Sequence, residues 1–299
     1  MEPLSAISPS QNHTFRPAKI ETPWKKTRRR LRKNPRALIG GGIILLFTLI
    51  ALLAPYLTSY PMDGNYWEER LQPPSSEHWF GTDDFGRDLF TRVIYGARLS
   101  LWVGLVSVLG ASIIGTLLGL IAGFFGRWVD QLISRIFDIM LAFPAILLAI
   151  AIVSILGPSL NNAILAVSIV NIPVFGRLVR SKVITVKEEE YITASRVIGT
   201  PTHRILLRHL LPNSLSPIIV QGTMSIATAI LEAAALGFLN LGPPPPVAEW
   251  GKMLADSRSF IQLAPWTLIF PGCSIMLVVL GFNLLGDGMR DVLDPRNTD

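Results

Sequence analysis

The sequence predicts an all-α, polytopic membrane protein with six transmembrane helices, and three observations carry that prediction. Half of the 299 residues are hydrophobic and only 16% are charged, a balance outside that of ordinary soluble domains. Apolar runs of about 20 residues recur along the chain, each able to cross roughly 30 Å of hydrocarbon. The 27 Lys and Arg residues gather between alternate runs, as the positive-inside rule requires. The net charge of +6 therefore speaks for orientation in a lipid bilayer and not for a nucleic-acid partner.

Residues 1–36 hold ten Lys or Arg against Glu2 and Glu21 and form a basic, cytoplasmic N-terminal segment. The apolar run 37–57 follows as a first transmembrane anchor. Its length and its exit through Ala54-Pro55-Tyr56 differ from a cleavable signal peptide, so it is expected to be retained. Residues 58–98 carry seven carboxylates against four arginines and suit an extracytoplasmic loop. Within that loop, Thr82 or Asp83 is placed to cap an interfacial helix with Phe90 and Ile94 on its apolar side. The neighbouring Asp84, Arg87 and Asp88 can pair among themselves or contact a ligand, and internal pairing is the expectation.

A five-helix core spans residues 99–286. In the run 99–125, Ala111, Gly115, Gly119 and Gly123 recur every fourth residue, a spacing that lets helices approach closely in lipid. A short cytoplasmic loop with Arg127, Asp130, Arg135 and Asp138 leads to a third span, 139–157, which Pro144 can kink. A fourth span, 163–179, carries Asn171 and Pro173 in its middle. The polar loop 180–215 comes next, then a fifth span, 217–239, with Ser225, Ala229, Ala233 and Gly237 at four-residue spacing beside a lone carboxylate, Glu232. An extracytoplasmic loop, 240–263, a sixth span, 264–286, and a cytoplasmic tail, 287–299, complete the chain. On this threading, 21 basic residues lie inside and six outside.

The loop 180–215 has the most sharply specified local structure. Tyr191, Ala194 and Ile198 mark one helical face; Gly199 suits a left-handed helix end, Thr200 an N-cap and Pro201 a first helical position. A second short helix then pairs Leu206 with Leu210 and Leu207 with Leu211, sets Arg204 and Arg208 on another face, and is expected to stop at Pro212. A rigid knuckle of this kind suits docking to a soluble partner.

Chemistry of other kinds finds no foothold. There is no GxxxxGK[ST] phosphate loop, no HExxH and no GxSxG, and His13, His78, His203 and His209 all fall outside the spans. The single cysteine, Cys273, excludes intrachain disulfides and cysteine zinc clusters. Inside the bilayer, Glu232 either lines a solute path or makes a hydrogen-bonded helix contact, and Asn171 and Asn283 share that ambiguity. A secondary transporter or channel would lean on such residues.

Thr193-Ala194-Ser195, Gly199 and His209-Leu210-Leu211-Pro212 resemble the "EAA" loop of binding-protein-dependent ABC importer permeases, with two of the three name-giving residues changed. The segment from Phe80 through Gly81, Thr82, Asp83 and Gly86 to Asp88 resembles a signature of the dipeptide/oligopeptide branch. So do Glu249-Trp250-Gly251-Lys252 and the stretch from Phe282-Asn283 to Asp294-Pro295. The resemblance implies a type I permease fold and the second, C-type permease of a heterodimer. It implies as partners two ATPase subunits that carry ATP and Mg, while this chain binds no cofactor or metal and is no enzyme, and an extracytoplasmic solute-binding protein. It also implies a bacterial or archaeal cytoplasmic membrane, with both termini cytoplasmic. Peptides are the expected solute, with nickel chelates, glutathione or oligosaccharides as alternatives. Contact with an ATPase falls on Glu190, Tyr191, Ala194, Ser195, Gly199, Thr200, Pro201, Arg208, His209 and Pro212, and a translocation path on Glu232, Asn171 and Asn283.

Overall fold

The computed structural model describes residues 29–293, so most of the basic N-terminal segment and the end of the tail lie outside the described residues. Helix α1, Pro35–Leu57, begins where Asn34 Oδ1 accepts the Arg36 and Ala37 N–H groups and Pro35 takes a position that needs no donor. Helix α2, Leu89–Phe125, is capped by Asp88, which accepts from Thr91 N at 2.7 Å. Then come α3, Arg127–Ala142, α4, Ala145–Leu156, and α5, Leu160–Val186, the last capped by Ser159. Helix α6, Glu190–Val197, precedes the 37-residue α7, Thr202–Phe238. The short α8, Trp250–Ser257, and the final α9, Trp266–Leu293, complete the order.

Five of these helices, α1, α2, α5, α7 and α9, are long and apolar enough to cross a membrane, and α3 with α4 makes a sixth span if the bent pair is counted as one. Helices α2 and α5 form the most extensive pairing, and the four-residue row of small side chains explains it. A Cβ added at Gly115 would lie 2.6 Å from the Ile172 carbonyl oxygen, and one at Gly119 2.5 Å from that of Gly176. Only glycine permits this approach. Helix α7 packs along α2, α5 and α9 through its own small row, Ser225, Ala229, Ala233 and Gly237, all buried. Helix α9 holds α1, and α8 lies against α7 and α9.

Several expectations need correcting. The run with Phe90 and Ile94 is not a separate helix but the first part of α2, because Asp88 supplies the cap and nothing interrupts the helix before Gly126. Thr82 and Asp83 instead sit in the preceding loop. Residues 127–138 are not a loop but belong to the amphipathic α3, and the chain turns through 93° between α3 and α4 around Phe143-Pro144. Pro144 does more than kink a span. Helix α4, with 12 residues, rises about 18 Å and cannot cross the hydrocarbon alone. The fourth span runs on to Val186 and takes in Arg177, Arg180 and Lys182. Two of these hold α3: Arg180 pairs with Asp130, and Arg177 reaches Asp138 at 2.5 Å.

Candidate functional site

The knuckle at residues 188–213 is fixed mainly by its backbone. Gly199 has φ +80°, a conformation that side chains disfavour. Its N–H donates to Arg196 O at 3.0 Å, while Thr200 N–H donates to Ser195 O at 3.1 Å. Together these bonds close a Schellman motif on the end of α6. Thr200 is thus part of the helix stop and not an N-cap; the cap position falls to Pro201, whose carbonyl accepts from Arg204 and Ile205 at 2.9 and 3.2 Å. Pro212 does not stop the second helix. A π-turn over Leu206–Leu210, in which Leu211 N–H donates to Leu206 O, absorbs the proline, and α7 continues. The knuckle's second helix is therefore the end of a membrane span, and movement of one is movement of the other.

The side chains divide differently from the predicted faces. Ile192, Ile205 and Leu210 are buried with Val179, Val183 and Val186. Tyr191, Ala194 and Ile198, the predicted face, point outward; Ile198 is 79% exposed and its neighbour Val197 83%. Glu190, Pro201, Arg208 and Pro212 are exposed as well, while Ser195, Thr200 and His209 are half-buried. Cross-ties the sequence did not disclose fasten the knuckle. Asn213 donates to the Tyr191 hydroxyl at 3.2 Å and to His209 O at 2.7 Å. Arg196 lies over the Phe124 ring at 5.2 Å, and Lys187 Nζ donates to Gly123 O at 3.1 Å, capping α2. What is left is a rigid projection with an apolar tip.

Between α5 and α7 the structure joins two of the three predicted path residues. Asn171 Nδ2 donates to Glu232 Oε2 at 2.9 Å and to Val167 O at 2.9 Å. Asn283 lies exposed on α9, without a hydrogen bond to either.

The end of the molecule away from the knuckle is a polar cap over α2 and α7. Asp83 receives both Arg87 and Arg92, and His78 is buried between Asp88, at 2.9 Å, and Glu69, at 3.3 Å. Of the predicted trio, Arg87 and Asp84 form an ion pair at 3.9 Å, while Asp88 pairs with His78. Arg92 also donates to the carbonyls of Met62 and Pro246, tying the loop after α1 to the loop before α8. Glu249 caps α8 by accepting from Gly251 and Lys252 N–H, both at 2.8 Å, and burial pushes its carboxyl up to about 7.

A multi-span helical body closed by a polar cap at one end, with a rigid apolar-tipped knuckle continuous with a span at the other, is the architecture of a transport permease. The chain belongs to the binding-protein-dependent transport system inner membrane component family, whose model matches residues 115–299, and residues 22–74 match the N-terminal TM domain of oligopeptide transport permease C. It is 65% identical to the dipeptide transport system permease protein DppC of Alkalihalophilus pseudofirmus, over 92% of this chain and 90% of that one. It is 46% identical to the glutathione transport system permease protein GsiD of Pectobacterium atrosepticum over 94% of each. Its fold matches the MetNI methionine ABC transporter in inward-facing conformations with a TM-score of 0.55 and 20% identity, covering 68% of this chain and 97% of that one. The chain is a multi-pass permease of the ABC importer class.

Proposed function

We propose that the chain is one of two different permease subunits in a bacterial or archaeal cytoplasmic membrane, importing di- and oligopeptides by alternating access driven by ATP. The near full-length relation at 65% identity to a dipeptide permease carries the choice of solute. Both termini and the knuckle face the cytoplasm on this reading, consistent with the 21 basic residues on that side. The knuckle seats in an ATPase subunit, with Val197 and Ile198 as apolar anchors around the residues Glu190, Tyr191, Ala194, Ser195, Gly199, Thr200, Pro201, Arg208, His209 and Pro212. ATP and Mg belong to those ATPases.

Because α7 is continuous with the knuckle, closure of the ATPases would be transmitted to the span bearing Glu232 without an intervening hinge. The Asn171–Glu232 bridge then serves as a contact between α5 and α7 that the transport cycle can break, next to the solute path; Asn283 faces that path from α9. The cap receives a loaded solute-binding protein. Glutathione is a second reading, favoured by the 46% relative. Co-purification in mild detergent from the native cell, followed by mass identification and an uptake assay with labelled dipeptide and labelled glutathione, tests both. Recovery of a second permease and ATPases with dipeptide uptake is expected; a lone chain transporting without ATP would overturn the proposal.

A further inference from the structure

A cavity of about 500 Å³ opens in the cap, next to an apolar cavity of about 950 Å³ with which it shares Val247 as a wall. Its volume is that of a small-molecule site. Unlike its neighbour it is lined by both signs of charge: Arg87, Arg92 and Lys252 against Asp63, Asp84 and Asp256. Among them Lys252 and Asp256 pair at 2.7 Å, while Arg87 and Asp84 lie 3.9 Å apart. A single oxygen of Asp83 answers Nε of both Arg87 and Arg92, at 2.7 and 3.3 Å, so one carboxylate serves two guanidinium groups.

Arg87 is only 6% exposed, yet among the described residues its two terminal nitrogens make no hydrogen bond. Asp83 is bonded to Nε, and Asp84 Oδ1 lies 3.9 Å from Nη2, beyond hydrogen-bond reach. Asp84 is half-buried, and its carboxylate accepts no hydrogen bond from the described residues. Burial and the neighbouring Asp83 raise its pKa, against the lowering pull of Arg87. Lys252, by contrast, is already held by Asn240 and Asp256 at 2.7 Å each. The open donors on Arg87 and the open acceptors on Asp84 border one chamber, with Trp67 and Phe85 on its wall.

We propose that this cavity is a subsite for a small zwitterionic peptide, the peptide carboxylate on the terminal nitrogens of Arg87 and its ammonium group on Asp84. The inference rests on the peptide reading and assigns a ligand role to the Thr82 to Asp88 signature. A peptide leaving the binding protein would find both of its charges matched here.

The test uses the complete importer in nanodiscs, with the binding protein omitted and alanyl-phenylalanine as the probe, read by saturation-transfer NMR. Saturable binding in roughly the millimolar range is expected, weakened about tenfold by N-acetylating or by C-amidating the peptide. Asp84→Asn should weaken the free peptide about tenfold, leave the N-acetyl peptide unchanged, and keep the wild-type melting temperature. Arg87→Lys should show the matching loss for the free carboxylate. No saturable binding by the wild type, or equal binding by wild type and Asp84→Asn, would overturn the subsite. Uptake of labelled alanyl-phenylalanine by the wild-type importer with its binding protein reports separately on the solute: binding without uptake keeps the subsite and sinks the peptide reading, and uptake without Asp84-dependent binding does the reverse.

Discussion

At the knuckle, conformation is imposed by the backbone: a left-handed Gly199, two Schellman bonds and a π-turn hold the shape, while the side chains at the tip, Val197 and Ile198, are left in the open. At the cap the division is reversed. There His78, Asp83, Arg87, Asp88, Arg92 and Glu249 are all buried, and the hydrogen bonds and ion pairs they make go mostly to each other or to backbone. On the proposed docking role, the knuckle keeps its tip side chains free and lets the main chain supply rigidity. A surface that must keep irregular loops in place over the bundle uses charges to tie them. Stability and coupling should therefore come apart: damage at the cap should unfold, and damage at the knuckle should uncouple.

The largest effect is expected from Asp83→Ala. It leaves Arg87 and Arg92 buried without their shared carboxylate, and removing one partner from a buried ionic set costs about 3–5 kcal/mol. Loss of a monodisperse peak in fluorescence size-exclusion, or a melting temperature lowered by many degrees, would show it. A variant as stable as the wild type would mean that the cap is held by its loops alone, and the contrast with the knuckle would fail.

Next in size is Gly199→Pro. Proline cannot take φ +80° and removes the N–H that Arg196 O accepts. A misplaced proline costs about 3 kcal/mol, roughly a 100-fold loss of the docking-competent knuckle. Uptake should fall accordingly while the protein stays in the membrane and its spans melt as before. Wild-type uptake would sink the docking role. A milder version of the same test is Val197→Ser with Ile198→Ser, which alters only exposed surface and should move stability by less than about 0.5 kcal/mol. Co-purification of ATPase subunits should nonetheless drop by about tenfold or more, since burying each such side chain is worth about 1.5–3 kcal/mol.

The two regions also differ in how far they could be read from sequence. Gly199 and the row Gly115, Gly119 and Gly123 were legible because glycine at those spacings has few other physical reasons to be there. Thr200, Pro201 and Pro212 were misplaced by a position or a function. A Schellman stop and a π-turn are chosen by the whole turn, and a proline that ends an isolated helix is tolerated where the ladder can widen by one residue. The outward turn of Ile198 was hidden because apolar character alone does not say whether a side chain meets its own core or another protein. At the cap, charges close in sequence suggested local pairs, and Arg87 does keep Asp83 and Asp84; other partners are set by folding, since Asp88 goes to His78, ten residues away, and Arg92 reaches Pro246, 154 residues away. The Asn171–Glu232 bridge, 61 residues apart on different helices, lay beyond sequence periodicity for the same reason.

The smallest effect sharpens the comparison through pH. Glu249 is 3% exposed, and burial raises its carboxyl from the ordinary 4.5 to about 7 in the folded protein, against the opposing pull of the Gly251 and Lys252 N–H groups. Between those two values the folded chain holds a proton that the unfolded chain has released. Its contribution to stability is therefore fully present below about 4.5 and is lost as pH rises through about 7. The melting temperature in nanodiscs should fall between pH 5 and pH 8, and Glu249→Gln, which keeps an acceptor for the α8 cap but cannot ionise, should flatten that fall. The knuckle offers no buried carboxyl among the described residues, so retention of ATPase subunits should be indifferent to the same change. If Glu249→Gln keeps the wild-type slope, the carboxylate is charged and hydrated at neutral pH, and the cap is a wetter, looser assembly than its buried side chains suggest.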